Sequence, residues 1–291
     1  MVHLASMGLT KLFNGVTALN DVSFDVKGSV IAVVGPNGSG KTTLLSIISG
    51  LRRPSSGRLY VEGFEPYRER GRALRLLSFH FSKPRFHLGA TVEGLLARVK
   101  GLCVDERRFE EALRGFGIHG FASRRLYELS SGEAQIVSLA ISLACYEDSI
   151  AVVDEPLTHL DVTRQGLAAE MISSRGRVVF TTHVLEEAET LADHLIVLVE
   201  GRLRWAGSLE SLFSSEMHEV IVARRLQGEL RRILEEEGGS VVADFGTSLL
   251  VSNLSWKTME KIYGEGIIIG FRRAGARRKI YCGSRASEQD G

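Results

Sequence analysis

The stretch SVIAVVGPNGSGKTTLLSIISGL, residues 29–51, restricts this chain more than any other. SVIAVV is a near-continuous apolar run ending in glycine, the mark of a strand buried on both faces. After the loop, Leu44, Leu45, Ile47, Ile48 and Leu51 recur at helical spacing. Between strand and helix, GPNGSGKT (Gly35 to Thr42) has the form G-x-x-x-x-G-K-[ST]. Glycines there let backbone N–H groups turn inward around phosphate oxygens, where a side chain would block the approach. Lys41 is placed to reach the β and γ phosphates and Thr42 to offer a hydroxyl to Mg²⁺, while the helix aims its positive end at the same point. An ordinary glycine turn is the plainer reading, and the strand–loop–helix setting argues against it.

Two further buried strands follow, SIAVVDE (149–155) and RVVFTTH (177–183). Buried strands alternating with helices imply a mainly parallel sheet flanked by helices, an α/β class. Ligands in such sheets sit at the carboxyl ends of strands, so Asp154, Glu155 and His183 are expected to open on one crevice. An Asp there can hold Mg²⁺, a following Glu can deprotonate a water, and a neutral imidazole can donate to a phosphate. Taken singly, each is as easily a solvated strand end. LSSGEAQ (129–135) opens another apolar helix with the S-x-x-E spacing of a capping box, Ser130 to Glu133. A helix start also presents unpaired amides and positive charge, which suit an anion.

The first 28 residues read as short strands turned at Asn14-Gly15, and HLIVLVEGRLRWAG as a hairpin turned at Glu200-Gly201. Residues from about 74 to 126 are mainly helical in pattern. After about Phe213 the chain changes to short strands with two amphipathic helices, an appended α+β domain of about 75 residues, near the lower size for an independent fold. Domains at 1–213 and 214–291 are expected, with a helical subdomain at about 85–146.

Hydrophobic content of 44% and charged content of 24% suit a globular chain, and a formal net charge of +1 supplies no global field for nucleic acid or acidic lipid. Nucleic acid is therefore not the expected partner. RRAGARRK (272–279) reads as a solvated basic face, with contact to lipid headgroups, a partner chain or RNA as the alternative. Cys103, Cys145 and Cys282 form no C-x-x-C pair; Cys145, in an apolar helical pattern, is expected as a buried free thiol, which fits a reducing cytoplasm. No apolar run approaches the roughly 18 residues that span a bilayer, and the start has no signal-peptide pattern.

A phosphate loop, LSSGEAQ, VVDEP, L-T-H-L-D (157–161) and a strand-ending His in this order resemble the ATP-binding cassette (ABC) ATPases, over about residues 2–213. The resemblance implies a P-loop NTPase core carrying an antiparallel β subdomain and a helical subdomain. It implies ATP and Mg²⁺ as ligands, bound by Gly35, Asn37, Gly38, Ser39, Gly40, Lys41, Thr42 and Thr43, with Phe13 stacking on adenine. By the same likeness Thr42, Asp154 and Ser82 surround the metal, and Glu155, His183 and Lys41 are catalytic. Two such domains dock head to tail in this family, so Ser130 and Gly132 would face an ATP held by a second ATPase subunit, identical or not, with Asp161 in the loop joining the two sites.

The chain departs from the family pattern in places. Ser131 and Glu133 stand in a signature commonly L-S-G-G-Q, and His159 replaces a small residue. Ser82 takes the place of a glutamine and is too short to reach as far, so a bridging water or altered coupling is expected, with His80 and Lys83 as nearby polar groups. The implied function is the ATP-hydrolysing subunit of an ABC transporter, of export type, on the cytoplasmic face of the cell membrane beside separate membrane-spanning chains. A soluble cassette that remodels a nucleic-acid or protein assembly, and a slow-hydrolysing ATP-binding regulator, are the alternatives.

Overall fold

The computed structural model describes residues 1–82, 84, 89–146, 148–214, 217–246 and 248–273. Asn14 (φ 46°) and Gly15 (φ 85°) turn β1 (Val2–Phe13) into β2 (Val16–Gly28), both residues taking the left-handed backbone that a tight hairpin requires. The two strands run 12 and 13 residues rather than being short. Register shifts between Ser6 and Leu12 are absorbed as bulges, so one ladder continues where the pattern suggests several. β4 (Ser56–Val61) completes this antiparallel sheet, in the order β2-β1-β4.

The main sheet contains β3 (Val30–Val34), β5 (Leu77–His80), β6 (Ile150–Asp154), β7 (Val178–Thr182), β8 (His194–Val199) and β9 (Arg202–Ser208), in the order β5-β6-β7-β3-β8-β9. All neighbours are parallel except β8 and β9, the hairpin turned at Glu200 and Gly201. Val30, Ala32 and Val34 of β3 face one core, whereas Ile31 and Val33 face the other. This double burial explains the unbroken apolar run. α1 (Lys41–Ile48) packs on the second face through Leu44, Leu45, Ile47 and Ile48. The first face is covered by α3 (Val92–Lys100), α4 (Glu106–Gly115), α5 (Ser131–Ala140), α6 (Val162–Arg175) and α7 (Leu185–Leu191). A short α2 (Arg70–Leu76) precedes β5. Among the described residues no helix is long and apolar enough to cross a membrane.

Beyond α8 (Leu209–Ser214) lies a second sheet of β10 (Met217–Ile221), β11 (Ser240–Asp244), β12 (Leu249–Ser252) and β13 (Gly270–Arg273), all antiparallel, in the order β11-β12-β10-β13. α9 (Gln227–Glu236) and α10 (Trp256–Gly264) cover one face with Leu230, Leu234, Met259 and Ile262, giving this region a core of its own. Ala243 and Leu250 instead join the core of the main sheet. The basic run falls largely outside the described residues, but Arg272 is not on a solvated face. Its guanidinium pairs with Glu189 of α7, which is 2% exposed.

One expectation is overturned. Cys145 is buried but is not a free thiol: it is joined to Cys103 as a disulfide, with Cα atoms 4.3 Å apart across a sequence separation of 42. The π-helical stretch Ile141–Cys145 extends α5 and brings Cys145 against the end of α3, a proximity created by helix packing. Alkylation of the denatured chain without reductant is expected to leave Cys103 and Cys145 unlabelled, whereas prior reduction exposes both. Closing a loop of this length is worth roughly 3–4 kcal/mol, so reduction should lower the unfolding midpoint in a denaturant titration.

Candidate functional site

The turn from β3 into α1 is built around close backbone approach. A Cβ at Gly35 would come within 2.1 Å of the Leu198 carbonyl, and one at Gly40 within 2.5 Å of the Ala18 carbonyl. Gly38 (φ 81°) and Gly40 (φ 97°) also adopt left-handed backbone. Asn37 and Gly38 are exposed at the tip of the loop, while Ser39 is buried and its hydroxyl has no hydrogen-bond partner. A buried hydroxyl without a partner in a glycine-rich turn fits an oxygen-rich ligand such as phosphate. Lys41, 5% exposed, bends back and donates to the Gly35 and Pro36 carbonyls at 2.8 and 3.0 Å. Burial draws its ammonium below the usual lysine range, against the opposing pull of the Glu155 and Asp154 carboxylates. Beside the loop a groove of about 740 Å³ is lined by Phe13, Thr42, Thr43, Ser46, Arg52 and Phe81 among others. Phe13 is thus brought to the phosphate loop from the far end of β1.

Asp154 closes the site from the end of β6. It is 2% exposed and accepts hydrogen bonds from three hydroxyls: Thr42 (3.2 Å), Ser82 (3.1 Å) and Thr181 (2.6 Å). The three residues expected around a metal, Thr42, Ser82 and Asp154, are therefore in contact. Ser82 reaches the Asp154 carboxylate directly. Hard oxygen ligands with one carboxylate suit Mg²⁺, which is commonly held by one or two carboxylates together with substrate phosphates. Thr181 was not singled out from the sequence. It stands two residues before His183 in RVVFTTH, and strand alternation is the signal that marks it.

Glu155 follows with φ 47°, a left-handed conformation uncommon outside glycine. Its amide donates to the Thr181 hydroxyl at 2.9 Å. Its carboxylate accepts from the Thr158 hydroxyl at 3.3 Å and lies 3.4 Å from His183 Nδ1. Gln135 of α5, 1% exposed, donates to the Thr158 carbonyl at 2.8 Å, tying the helical layer to this loop. Behind His183, the Thr182 hydroxyl donates to Glu187 at 2.6 Å. Burial raises the Glu187 carboxyl above its usual range, although Thr182 and His183 oppose the shift. His80 does not belong to the site. It is fully buried, with Nδ1 2.9 Å from the Ser138 hydroxyl, and burial pushes its pKa down to about 3. Lys83 lies outside the described residues.

Ser130, Gly132 and Asp161 are not hydrogen-bonded to this cluster. Ser130 caps α5: its hydroxyl accepts from the Glu133 amide at 3.2 Å, and Glu133 Oε2 accepts from the Ser130 amide at 2.8 Å. Burial would raise the Glu133 carboxyl, but the Ser130 bonds and Arg124, 2.6 Å away, hold it below its usual range. The acid that departs from the common signature is thus turned into the cap. A Cβ at Gly132 would meet nothing closer than the His159 carbonyl at 3.9 Å, so packing within the chain does not demand a glycine there. Asp161 caps α6, accepting from the Arg164 amide at 3.0 Å.

The family model for ABC transporters matches residues 19–158. The ABC transporter ATP-binding protein NatA of Bacillus subtilis (strain 168) is 33% identical over 215 residues, covering 70% of this chain and 87% of that protein. The sulfate/thiosulfate import ATP-binding protein CysA 1 of Agrobacterium fabrum is 34% identical over 223 residues, 72% of this chain and 64% of that one. A solved ATP-binding subunit of an ABC transporter shares the fold with a TM-score of 0.64 at 24% identity, over 73% of this chain and 92% of its own. A dimeric ATP-binding cassette bound to ADP and Pi does so with a TM-score of 0.60 at 23% identity, over 72% and 98%. A phosphate loop facing a hydroxyl-lined Asp and a Glu–His pair, in a chain so related, places it in one family: it belongs to the ABC ATPases, as an ATP-binding subunit of the ABC transporter type.

Proposed function

We propose that this chain hydrolyses ATP to drive separate membrane-spanning chains, peripherally bound at the cytoplasmic face of the cell membrane and paired head to tail with a second cassette. The observation that carries the reading is the Glu155 carboxylate, held 3.4 Å from His183 Nδ1 beside an Asp154 that gathers Thr42 and Ser82. On ATP binding, Lys41 exchanges the Gly35 and Pro36 carbonyls for the β and γ phosphates, and the adenine stacks on Phe13 in the adjoining groove. Thr42, Ser82 and Asp154 would hold Mg²⁺, which supplies charge neutralisation on the phosphate oxygens. Glu155 takes a proton from the attacking water, whose oxygen bonds to the γ-phosphorus as the bond to the bridging oxygen breaks, yielding ADP and phosphate. His183 donates to the γ-phosphate and orients Glu155.

Second-subunit contacts fit the rest. The capping box occupies the Ser130 and Glu133 amides, which leaves those of Ser131 and Gly132 at the start of α5 for an anion across an interface. The open space at Gly132 supports that role. Residues 1–213 form the cassette in this reading and 214–291 an appended domain, supported by the separate core of the second sheet. Export is the direction in this reading, by the likeness of one cassette with a small C-terminal addition to export-type subunits; import systems also carry C-terminal additions, and the import protein CysA 1 matches over 64% of its length.

Glu155→Gln should keep ATP binding while lowering turnover by on the order of 10²–10⁴, read by steady-state phosphate release. Near-normal hydrolysis would remove Glu155 as the base. Ser82→Ala should raise the Mg²⁺ concentration for half-maximal hydrolysis about tenfold, the loss of one hydrogen bond to a charged group. Glu155→Gln held with Mg-ATP and purified from detergent-solubilised native membranes should carry a stoichiometric polytopic membrane chain; recovery of a soluble assembly alone would overturn the transport reading.

A further inference from the structure

Arg272 sits in a run that reads as solvated, yet its guanidinium is turned inward. Nη1 donates to Glu189 Oε2 at 2.5 Å, and Glu219 takes the other arm of the same fork. Glu219 and Arg272 are direct partners in the β10–β13 ladder, so the sheet itself holds the arginine in place. Glu189 belongs to α7 and is 2% exposed. A carboxylate at that depth is costly to bury without charged partners, and Arg272 supplies one. Burial works against the charge on Arg272, and Glu189 and Glu219 more than offset it.

Around this pair the contact is open. A cavity of about 460 Å³ is lined by His183, Val184 and Leu185 on the cassette side and by Ile221, Phe245 and Phe271 on the other. The segment from β7 into α7 borders this space at His183 and Val184, while Leu185 and Ala188 pack in the core, and the ion pair is the charged contact by which the second sheet holds α7. α7 begins at Leu185, two residues after His183, whose Nδ1 is 3.4 Å from Glu155. A shift of α7 carries His183 with it, and misplacement by about 1 Å near a reacting centre can cost on the order of 10²-fold in rate.

We propose that Arg272 is a positioning residue for ATP hydrolysis, acting through its ion pair with Glu189 on α7 and thereby on His183. This rests on the reading of Glu155 and His183 given above. The C-terminal sheet then sets turnover and leaves ATP affinity alone, because the groove beside Phe13 has no lining residue from that sheet.

Steady-state Mg-ATP hydrolysis and binding of a fluorescent ATP analogue to the purified full chain test the inference. Arg272→Met is expected to lower kcat about tenfold with KM and Kd unchanged, and Arg272→Lys to recover most of the rate. Glu189→Gln, which removes the buried charge without leaving it unpaired, should lower kcat alike if Arg272→Met proves insoluble. In a Glu155→Gln background the Arg272 change should add no further loss, since both act on one pair. Unaltered kcat in Arg272→Met or in Glu189→Gln, with Glu155→Gln inactive, overturns the inference and leaves the reading of Glu155 standing. Loss of ATP binding together with kcat in both variants also overturns it, by making the pair a folding element. Full turnover in Glu155→Gln overturns the reading itself.

Discussion

Parallel register at the centre of the main sheet is the constraint on which the site depends. Asp154 lies opposite Thr181, and Val34 lies opposite Thr182, so β6 ends one residue short of β7 and β3, which end level. Segments more than a hundred positions apart, such as Thr42 and Asp154, meet there through hydrogen bonds. A slip of one residue in any of these pairings would send Asp154 or Thr181 to the opposite face and dissolve the cluster. Both faces of the sheet are buried, and this double core makes such a slip expensive.

Within that frame the Asp154 carboxylate organises the chemistry. A nearly inaccessible charge needs partners, and here they are hydroxyls from three different elements. A hydroxyl can rotate between donating and accepting, so the groups that satisfy Asp154 can also serve as ligands to a hard cation. Thr181 has a second task, accepting the Glu155 amide. That bond helps hold Glu155 in its left-handed backbone, an arrangement that turns the next side chain out of the strand and toward His183.

The C-terminal sheet is joined to this machinery by mixed means. Ala243 and Leu250 share the core of the main sheet, whereas the approach to α7 combines a buried ion pair with a cavity. Apolar packing is non-directional and holds the two layers together without fixing one helix. The Arg272 fork between Glu189 and Glu219 is directional, and it joins α7 to the second sheet at a defined point.

The sequence by itself determined the phosphate loop, the buried strands, both hairpins and the capping box at Ser130, because each rests on spacing within a dozen residues. Glycine positions, apolar runs and the Asn14-Gly15 turn are local requirements and are legible as such. The chain's resemblance to the ABC ATPases also singled out Thr42, Asp154 and Ser82 together. Only the tertiary structure decided that Thr181 completes the Asp154 cluster, that His80 faces Ser138 in the core, and that Cys103 meets Cys145. It alone turned Arg272 from an apparent surface charge into the partner of Glu189. In each of these cases the partner comes from a different element, and sequence patterns that record which face of a strand or helix is apolar carry no record of which buried groups will meet across it.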